Sequence, residues 1–353
     1  MDPVEIGELQ ASHVAKTRKP IMKVNREQAH IAIVIPAFNE EKNITALLTE
    51  IKRAMASDPS RLTIIFVNDG STDGTEGLLD SLARTDSGVI ALHLSRNFGH
   101  QAALSAGLDT TRQLDVDAVI MMDADMQHPP TVIPELIGLW RQGFQVVYTI
   151  RDDDGRTSWF KRTSSRLFYR LTRILTDAPV PEGAADFRLM DRQPLNVLLD
   201  LPERARVLRS LTAWIGFRQV GVHYTPAARL SGSSRYSLRK MCALALDALI
   251  SSSVRPLKYV VLSGLLLSLI AAIYMAWIIY AHLFTDRTLP GWTSAMAVTL
   301  LLGGMNLSVM GVIGMYVAKV FEEVKRRPLY IVQAHQGLEK PVESYPAVAD
   351  SHD

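Results

Sequence analysis

The chain has 353 residues, a formal net charge of +2, 48% hydrophobic and 21% charged residues, and one cysteine. This length predicts two domains, or one with a large appendage, and the composition excludes a disordered or collagen-like chain. The lone Cys242 excludes an intrachain disulfide framework and a CxxC metal site, the nine histidines show no zinc-ligand spacing, and the small net charge argues against nucleic acid as a partner.

Residues 1–28 are polar and charged, show no apolar core of a signal peptide, and read as a mobile N-terminal tail. Beyond them, short apolar runs alternate with segments of helical spacing. The runs are Ile31–Ile35, Leu62–Val67, Val89–Leu94, Ala118–Met122 and Val146–Ile150, with helical spacing near 40–56, 74–84, 100–112 and 131–142. This alternation predicts βαβ units and a mainly parallel sheet, an α/β domain over residues 29–230. Unbroken apolar runs suit strands covered on both faces. Ligands of such sheets bind beyond the carboxyl ends of the strands. Polar clusters fall there: Pro36-Ala37-Phe38-Asn39-Glu40, then Asn68-Asp69-Gly70-Ser71-Thr72-Asp73, then Asp123-Ala124-Asp125. No GxGxxG opens the first helix and no GxxxxGK[ST] occurs, so those two nucleotide-binding devices are absent.

Asp123 and Asp125 are one residue apart, and in an extended stretch both carboxylates point the same way. Close carboxylates repel unless a cation or proton lies between them. A hard divalent ion, Mg²⁺ or Mn²⁺, suits them, and Gln127 offers a third oxygen on the same face. The 68–73 cluster reads as a tight turn with Thr72 or Asp73 capping the next helix, which leaves Asp69 free at the strand tip to accept hydrogen bonds.

Further on, Arg156, Lys161, Arg162, Arg166, Arg170 and Arg173 interleave with Trp159, Phe160, Leu167, Phe168, Leu171 and Ile174. This pattern predicts a basic amphipathic helix lying in a membrane interface. Tyr259–Thr285 and Thr288–Ala318 contain no Asp, Glu, Lys or Arg, and each exceeds the roughly 20 residues needed to cross a bilayer. They predict a hairpin of two membrane helices within 258–320. Arg255 and Lys258 before it, and Lys319, Lys325, Arg326 and Arg327 after it, place both flanks in the cytoplasm. Gly303, Gly304, Gly311 and Gly314 suit close helix packing or oligomerisation. Residues 321–353 read as a cytoplasmic tail, mobile beyond about residue 334.

The three polar clusters, the third extended to Asp123-Ala124-Asp125-Met126-Gln127-His128-Pro129, resemble those of family 2 glycosyltransferases with a GT-A fold. Ser95-Arg96-Asn97-Phe98-Gly99-His100, Ala185-Asp186-Phe187-Arg188-Leu189-Met190 and Ser231-Gly232-Ser233-Ser234-Arg235-Tyr236-Ser237 agree. Within that family the likeness is to the polyprenyl-phosphate sugar transferases, including the bactoprenol glucosyltransferases and dolichol-phosphate mannose synthase. It covers about residues 30–325. The resemblance implies that Pro36, Phe38, Glu40 and Asp69 hold a nucleoside and that Asp123 and Asp125 flank its diphosphate. Asp125 and Gln127 are the favoured metal ligands, beside Asp123. Asp186 is implied near the sugar and acceptor phosphate, as base or as orienting group. Residues 231–257 become an acceptor loop and juxtamembrane helix, and Ala227–Ser237 a lid. Arg235 stands where many members have Lys, and a planar fork is not a point charge.

The implied reaction is inverting transfer of a monosaccharide from a nucleotide diphosphate sugar to undecaprenyl phosphate, at the cytoplasmic face of a bacterial inner membrane. UDP-glucose is the first choice of donor, with GDP-mannose and UDP-aminoarabinose derivatives as alternatives. Arg209 and Arg235, within a second basic group with Arg206 and Arg239, are the candidates for the acceptor phosphate. A homo-oligomer, a tetramer by resemblance, is expected. A processive polysaccharide synthase ranks lower, because the QxxRW stretch and additional spans are missing from the sequence. A non-enzymatic nucleotide-sugar sensor ranks lower because the Asp123, Asp125 and Gln127 set is intact.

Overall fold

The computed structural model describes residues 26–152, 181, 183–203, 206–226, 255–284 and 291–338. The first half alternates strands and helices: β1 (His30–Ala37), α1 (Glu41–Met55), β2 (Arg61–Asn68), α2 (Thr75–Thr85), β3 (Val89–Leu94), α3 (His100–Thr110), β4 (Ala118–Met121), α4 (Ile133–Arg141) and β5 (Val146–Arg151). Then come β6 (Ala184–Asp191), α5 (Arg192–Asp200), α6 (Leu208–Trp214) and β7 (Gln219–Tyr224). Two long helices, α7 (Arg255–Phe284) and α8 (Trp292–Val324), precede a last strand, β8 (Val332–Gln336).

The strands form one sheet in the order β7-β5-β6-β4-β1-β2-β3-β8. Neighbours β4-β1-β2-β3 are parallel, as is β5-β7, while β6 runs antiparallel to both β4 and β5. Alternate residues of β1 serve opposite faces, and both faces are apolar. Ile31, Ile33 and Ile35 join one core with Phe66, Leu79, Trp140 and Phe187; Ala32 and Val34 join the other with Val67, Leu104 and Met190. This is why β1 reads as an unbroken apolar run.

The antiparallel β6 positions the site. Arg188 pairs with Met121 at the end of β4, so the residues before Arg188 run past that end, carrying Asp186 towards Asp123. Helix α3 meets the sheet closely. A Cβ on Gly107 would lie 2.3 Å from Val34 Cγ1 and 3.0 Å from Val67 Cγ2.

Leu257–Trp277 and Leu301–Val324 are long and apolar enough to cross a membrane, with mean hydropathies of 2.2 and 1.6 and no burial against the rest of the chain. Both helices extend past the expected 258–320 limits.

The chain ends depart from the sequence expectations. Arg26, placed in the mobile tail, is pinned: its Nη2 donates to Asp191 Oδ2 at 2.8 Å and its Nη1 to the Trp140 carbonyl. The segment after α8 is not a loose tail through residue 338. Tyr330 is buried, its hydroxyl donates to Asp109 at 2.9 Å, and β8 pairs with β3. Apolar Leu329, Tyr330 and Val332 pack on the second core, a signal outweighed in the sequence by the polar residues around them. The basic stretch 156–173 and the lid 227–237 lie outside the described residues.

The contact at Gly107 predicts that Gly107→Ala destabilises the domain by about 1–3 kcal/mol, since a methyl group there forces Val34 or the helix to move. A lowered midpoint in thermal unfolding of the detergent-purified protein is the expected result.

Candidate active site

The carboxyl ends of β1, β2 and β4 open into a cleft of about 350 Å³, walled on the remaining side by the start of α3. Pro36, Phe38, Glu40, Asp69, Asp123 and Asp125 all line it, so six of the residues expected from the sequence meet here. Phe38 is 44% exposed, an apolar ring facing solvent at the cleft.

The first two loops are stitched together. Asn39, at φ +58°, accepts the Thr72 N–H on its side-chain oxygen at 2.8 Å, and its own N–H donates to Ser71 Oγ at 2.9 Å. Short polar side chains tolerate this left-handed conformation, which explains Asn rather than a bulkier residue here. Glu40 N–H donates to Thr75 Oγ1 at 3.1 Å, and its carboxylate accepts from Asn43 Nδ2 at 2.6 Å. Gly70, at φ +64°, sits so close to the β3–α3 loop that a Cβ would lie 2.5 Å from the Arg96 carbonyl carbon.

Asp69 is not free, contrary to expectation. It is buried, and its two oxygens accept the N–H groups of Phe98 at 2.7 Å and Gly99 at 2.9 Å. Burial pushes its carboxyl above the ordinary value, with those two N–H bonds opposing. Asp69 therefore organises the β3–α3 loop as well as facing the cleft.

The Asp123-Ala124-Asp125 segment is not extended. Strand β4 stops at Met121, and the chain bends so that Met126 reaches φ +63°. Both carboxylates nevertheless reach the cleft. Asp123 Oδ1 is buried and accepts no hydrogen bond. The Asp123 N–H donates to His128 Nδ1 at 3.0 Å, which leaves the ring hydrogen on Nε2, 3.6 Å from Asp123 Oδ2. Burial pushes the His128 pKa down, and its ring stacks on Phe187 at 5.1 Å. Gln127 departs from its expected role: it is buried, and its Oε1 accepts from Arg151 Nη1 at 3.1 Å instead of joining the two aspartates. Among the described residues no group of three His, Cys, Asp or Glu is arranged to hold a metal. The donors available to a hard cation are the Asp123 and Asp125 carboxylates, and the unpartnered Asp123 oxygen fits one.

Asp186 is buried on β6. Arg209 grips it bidentately, Nε to Oδ1 at 2.6 Å and Nη2 to Oδ2 at 2.7 Å, and Gln101 Nε2 donates to Oδ2 at 3.3 Å. Burial alone would raise its pKa, but bonds from His100 and Arg209 win and hold it far below the carboxylate range. With both oxygens held by Arg209, Asp186 is placed to orient that guanidinium. The Arg209 side chain is 44% exposed. Arg235 lies outside the described residues.

Nothing in the 95–100 stretch alone gives His100 a role. The structure puts its Nε2 3.4 Å from Asp123 Oδ1 and 3.5 Å from Asp186 Oδ2. The available signal was a Gly-His pair opening a helix just after a strand end.

The family model for glycosyl transferase family 2 matches residues 32–199. The chain is 39% identical to the uncharacterized glycosyltransferase YkcC of Bacillus subtilis (strain 168), over 87% of this chain and 94% of that one. It is 38% identical to the uncharacterized glycosyltransferase sll0501 of Synechocystis, over 88% and 96%. It is 36% identical to the SfII prophage-derived bactoprenol glucosyl transferase of Shigella flexneri, over 87% and 99%. With such identity sustained over nearly the full length of these relatives, the chain belongs to glycosyl transferase family 2 and is a glycosyltransferase.

Proposed function

We propose that this enzyme transfers a monosaccharide, with UDP-glucose as first-choice donor, to undecaprenyl phosphate at the cytoplasmic face of a bacterial inner membrane. The observation that carries the reading is a cleft-lining carboxylate oxygen, Asp123 Oδ1, that accepts no hydrogen bond and lies 3.4 Å from His100 Nε2, which is itself 3.5 Å from Asp186, the buried acid that clamps Arg209. The Asp123 oxygen suits a cation-neutralised diphosphate and Arg209 a phosphate monoester. The relatives named as bactoprenol glucosyl transferases support the choice of acceptor and sugar. The two apolar helices support a lipid acceptor.

In this reading the exposed Phe38 ring stacks on the base, while Pro36, Glu40 and Asp69 shape the nucleoside site. Asp123 and Asp125 would hold Mg²⁺ or Mn²⁺, which when bound neutralises the leaving diphosphate. A phosphate monoester has its second pKa near about 6, so near neutral pH the acceptor is a dianion and needs no strong base. Its oxygen attacks the anomeric carbon, the bond to the diphosphate breaks, and that electron pair leaves with the nucleotide, inverting the centre. Asp186 keeps Arg209 oriented towards the incoming phosphate, and Arg235 is a second candidate contact. GDP-mannose or a UDP-aminoarabinose derivative would pass through the same steps. The basic flanks of the hairpin support a cytoplasmic catalytic domain and cytoplasmic ends. The α8 glycines suit a homo-oligomer.

The test is transfer by the detergent-purified chain to undecaprenyl phosphate from a panel of labelled nucleotide sugars, with Mn²⁺ or Mg²⁺ and with EDTA. Label entering the lipid from one donor, and lost with EDTA, is expected; nucleotide binding without lipid product from any donor would favour a sensor. Asp186→Asn should lower turnover by roughly a hundredfold while UDP affinity stays within a few-fold, because it releases Arg209 and not the nucleoside site. Gly70→Ala should do the reverse in binding. Its methyl group pushes on the Arg96–Asn97 backbone and strains a left-handed residue, so UDP affinity should fall about tenfold in equilibrium titration.

A further inference from the structure

His100 has no part in the transfer steps as described, yet it stands between the two halves of the site. It is the first residue of α3, reached through Gly99 at φ +97°, and its side chain is 42% exposed at the cleft. Its Nε2 faces two carboxylate oxygens from different strands, Asp123 Oδ1 at 3.4 Å and Asp186 Oδ2 at 3.5 Å. One N–H cannot serve both well, and both distances exceed a full hydrogen bond. The next residue extends the link. Gln101 Nε2 donates to Asp186 Oδ2 at 3.3 Å, while its Oε1 accepts from the Leu208 N–H at 3.1 Å, at the start of the helix that bears Arg209. Two consecutive residues thus connect the unpartnered oxygen of Asp123 to the Asp186–Arg209 pair.

We propose that His100 is a positioning residue that couples donor binding to acceptor binding. With no donor bound, its Nε2 stands 3.4 Å from one carboxylate and 3.5 Å from the other and makes a full hydrogen bond to neither. Once Asp123 Oδ1 is engaged on the donor side, the N–H is left to Asp186 Oδ2, which shares that carboxylate's charge with Arg209 and leaves the guanidinium freer to take a phosphate. Coupling of this kind is reciprocal: each ligand strengthens the other by the same factor. The inference rests on the proposed reading, in which Asp123 serves a nucleotide diphosphate and Arg209 an anionic phosphate.

The experiment measures binding, not turnover. Undecaprenyl phosphate in detergent micelles is titrated into the full chain with and without saturating UDP and Mn²⁺. In the wild type, UDP and Mn²⁺ should tighten lipid-phosphate binding about fivefold or more. In His100→Ala this ratio should fall to about one, with UDP and Mn²⁺ still binding in the absence of lipid. His100→Gln, whose amide N–H groups can reach both carboxylates, should recover part of the ratio. His100→Asn, with a shorter reach, should behave like Ala and serves if the Ala variant does not fold. An unchanged ratio in His100→Ala or His100→Asn overturns the inference, as does a wild type whose ratio is already one. Glycolipid formation by the wild type, assayed separately, would in either case leave the proposed reaction standing; failure to bind lipid phosphate under any condition would remove both.

Discussion

A carboxylate taken out of water costs several kcal/mol unless its charge is met at close range, and the active site is arranged around one that is met. Asp186 is buried, and Arg209 answers it with two hydrogen bonds. That pairing needs two independent pieces of packing. The antiparallel β6 must run past the end of β4, and α6 must dock through Leu208 and Leu211 to bring Arg209 in. Arg188, two residues along the same strand, is a second buried cation, pushed down to about 10 by its burial with the Asp186 charge opposing. Its Nη2 is satisfied by the Ala185 carbonyl at 2.7 Å. Both guanidinium groups offset the Asp186 charge, Arg209 through two hydrogen bonds and Arg188 through its charge alone.

Asp69 shows the same problem solved differently. Its charge is met by two backbone N–H groups rather than by a guanidinium, and burial prevails, so its pKa moves up where that of Asp186 moves down. Asp69 in the cleft and Asp186 behind His100 therefore carry opposite shifts. Asp69 ties the β2 and β3 loops together, and Asn39 ties the β1 loop to the turn that follows β2. The Asp69 side of the cleft is tied together because three loops share these few side chains. The Asp186 side depends instead on a single ion pair and its two neighbours from α3.

The sequence made the central sheet readable because its strands are buried on both faces and so appear as unbroken apolar runs, from Ile31–Ile35 to Val146–Ile150. The polar clusters after them marked the cleft correctly. Strand β6 was harder to see, since Asp186 and Arg188 interrupt its apolar pattern, and β8 is a short edge strand with polar residues. Side-chain roles were less readable than positions. Spacing suggested that Gln127 joins the metal carboxylates and that Asp69 stands free, but partners distant in sequence, Arg151 and the Phe98–Gly99 backbone, decide otherwise. His100 leaves no local signal of its neighbours, because what distinguishes it is lying 3.4 Å from Asp123, beyond β4, and 3.5 Å from Asp186 on β6, a relation that no local pattern records.

The return of the chain to the sheet after α8 sets a leash length. Helix α8 ends at Val324, and Tyr330 is already anchored on Asp109. The five residues between span at most roughly 18 Å when fully extended. The catalytic domain is thus tied within that distance of the end of α8, a helix long and apolar enough to cross a membrane. Under the proposed function, such a tether would let the enzyme meet a lipid phosphate at headgroup height by diffusion in two dimensions, with no need to extract the lipid. Lengthening this short tether would change the height of the active site above the membrane without touching any residue of the cleft.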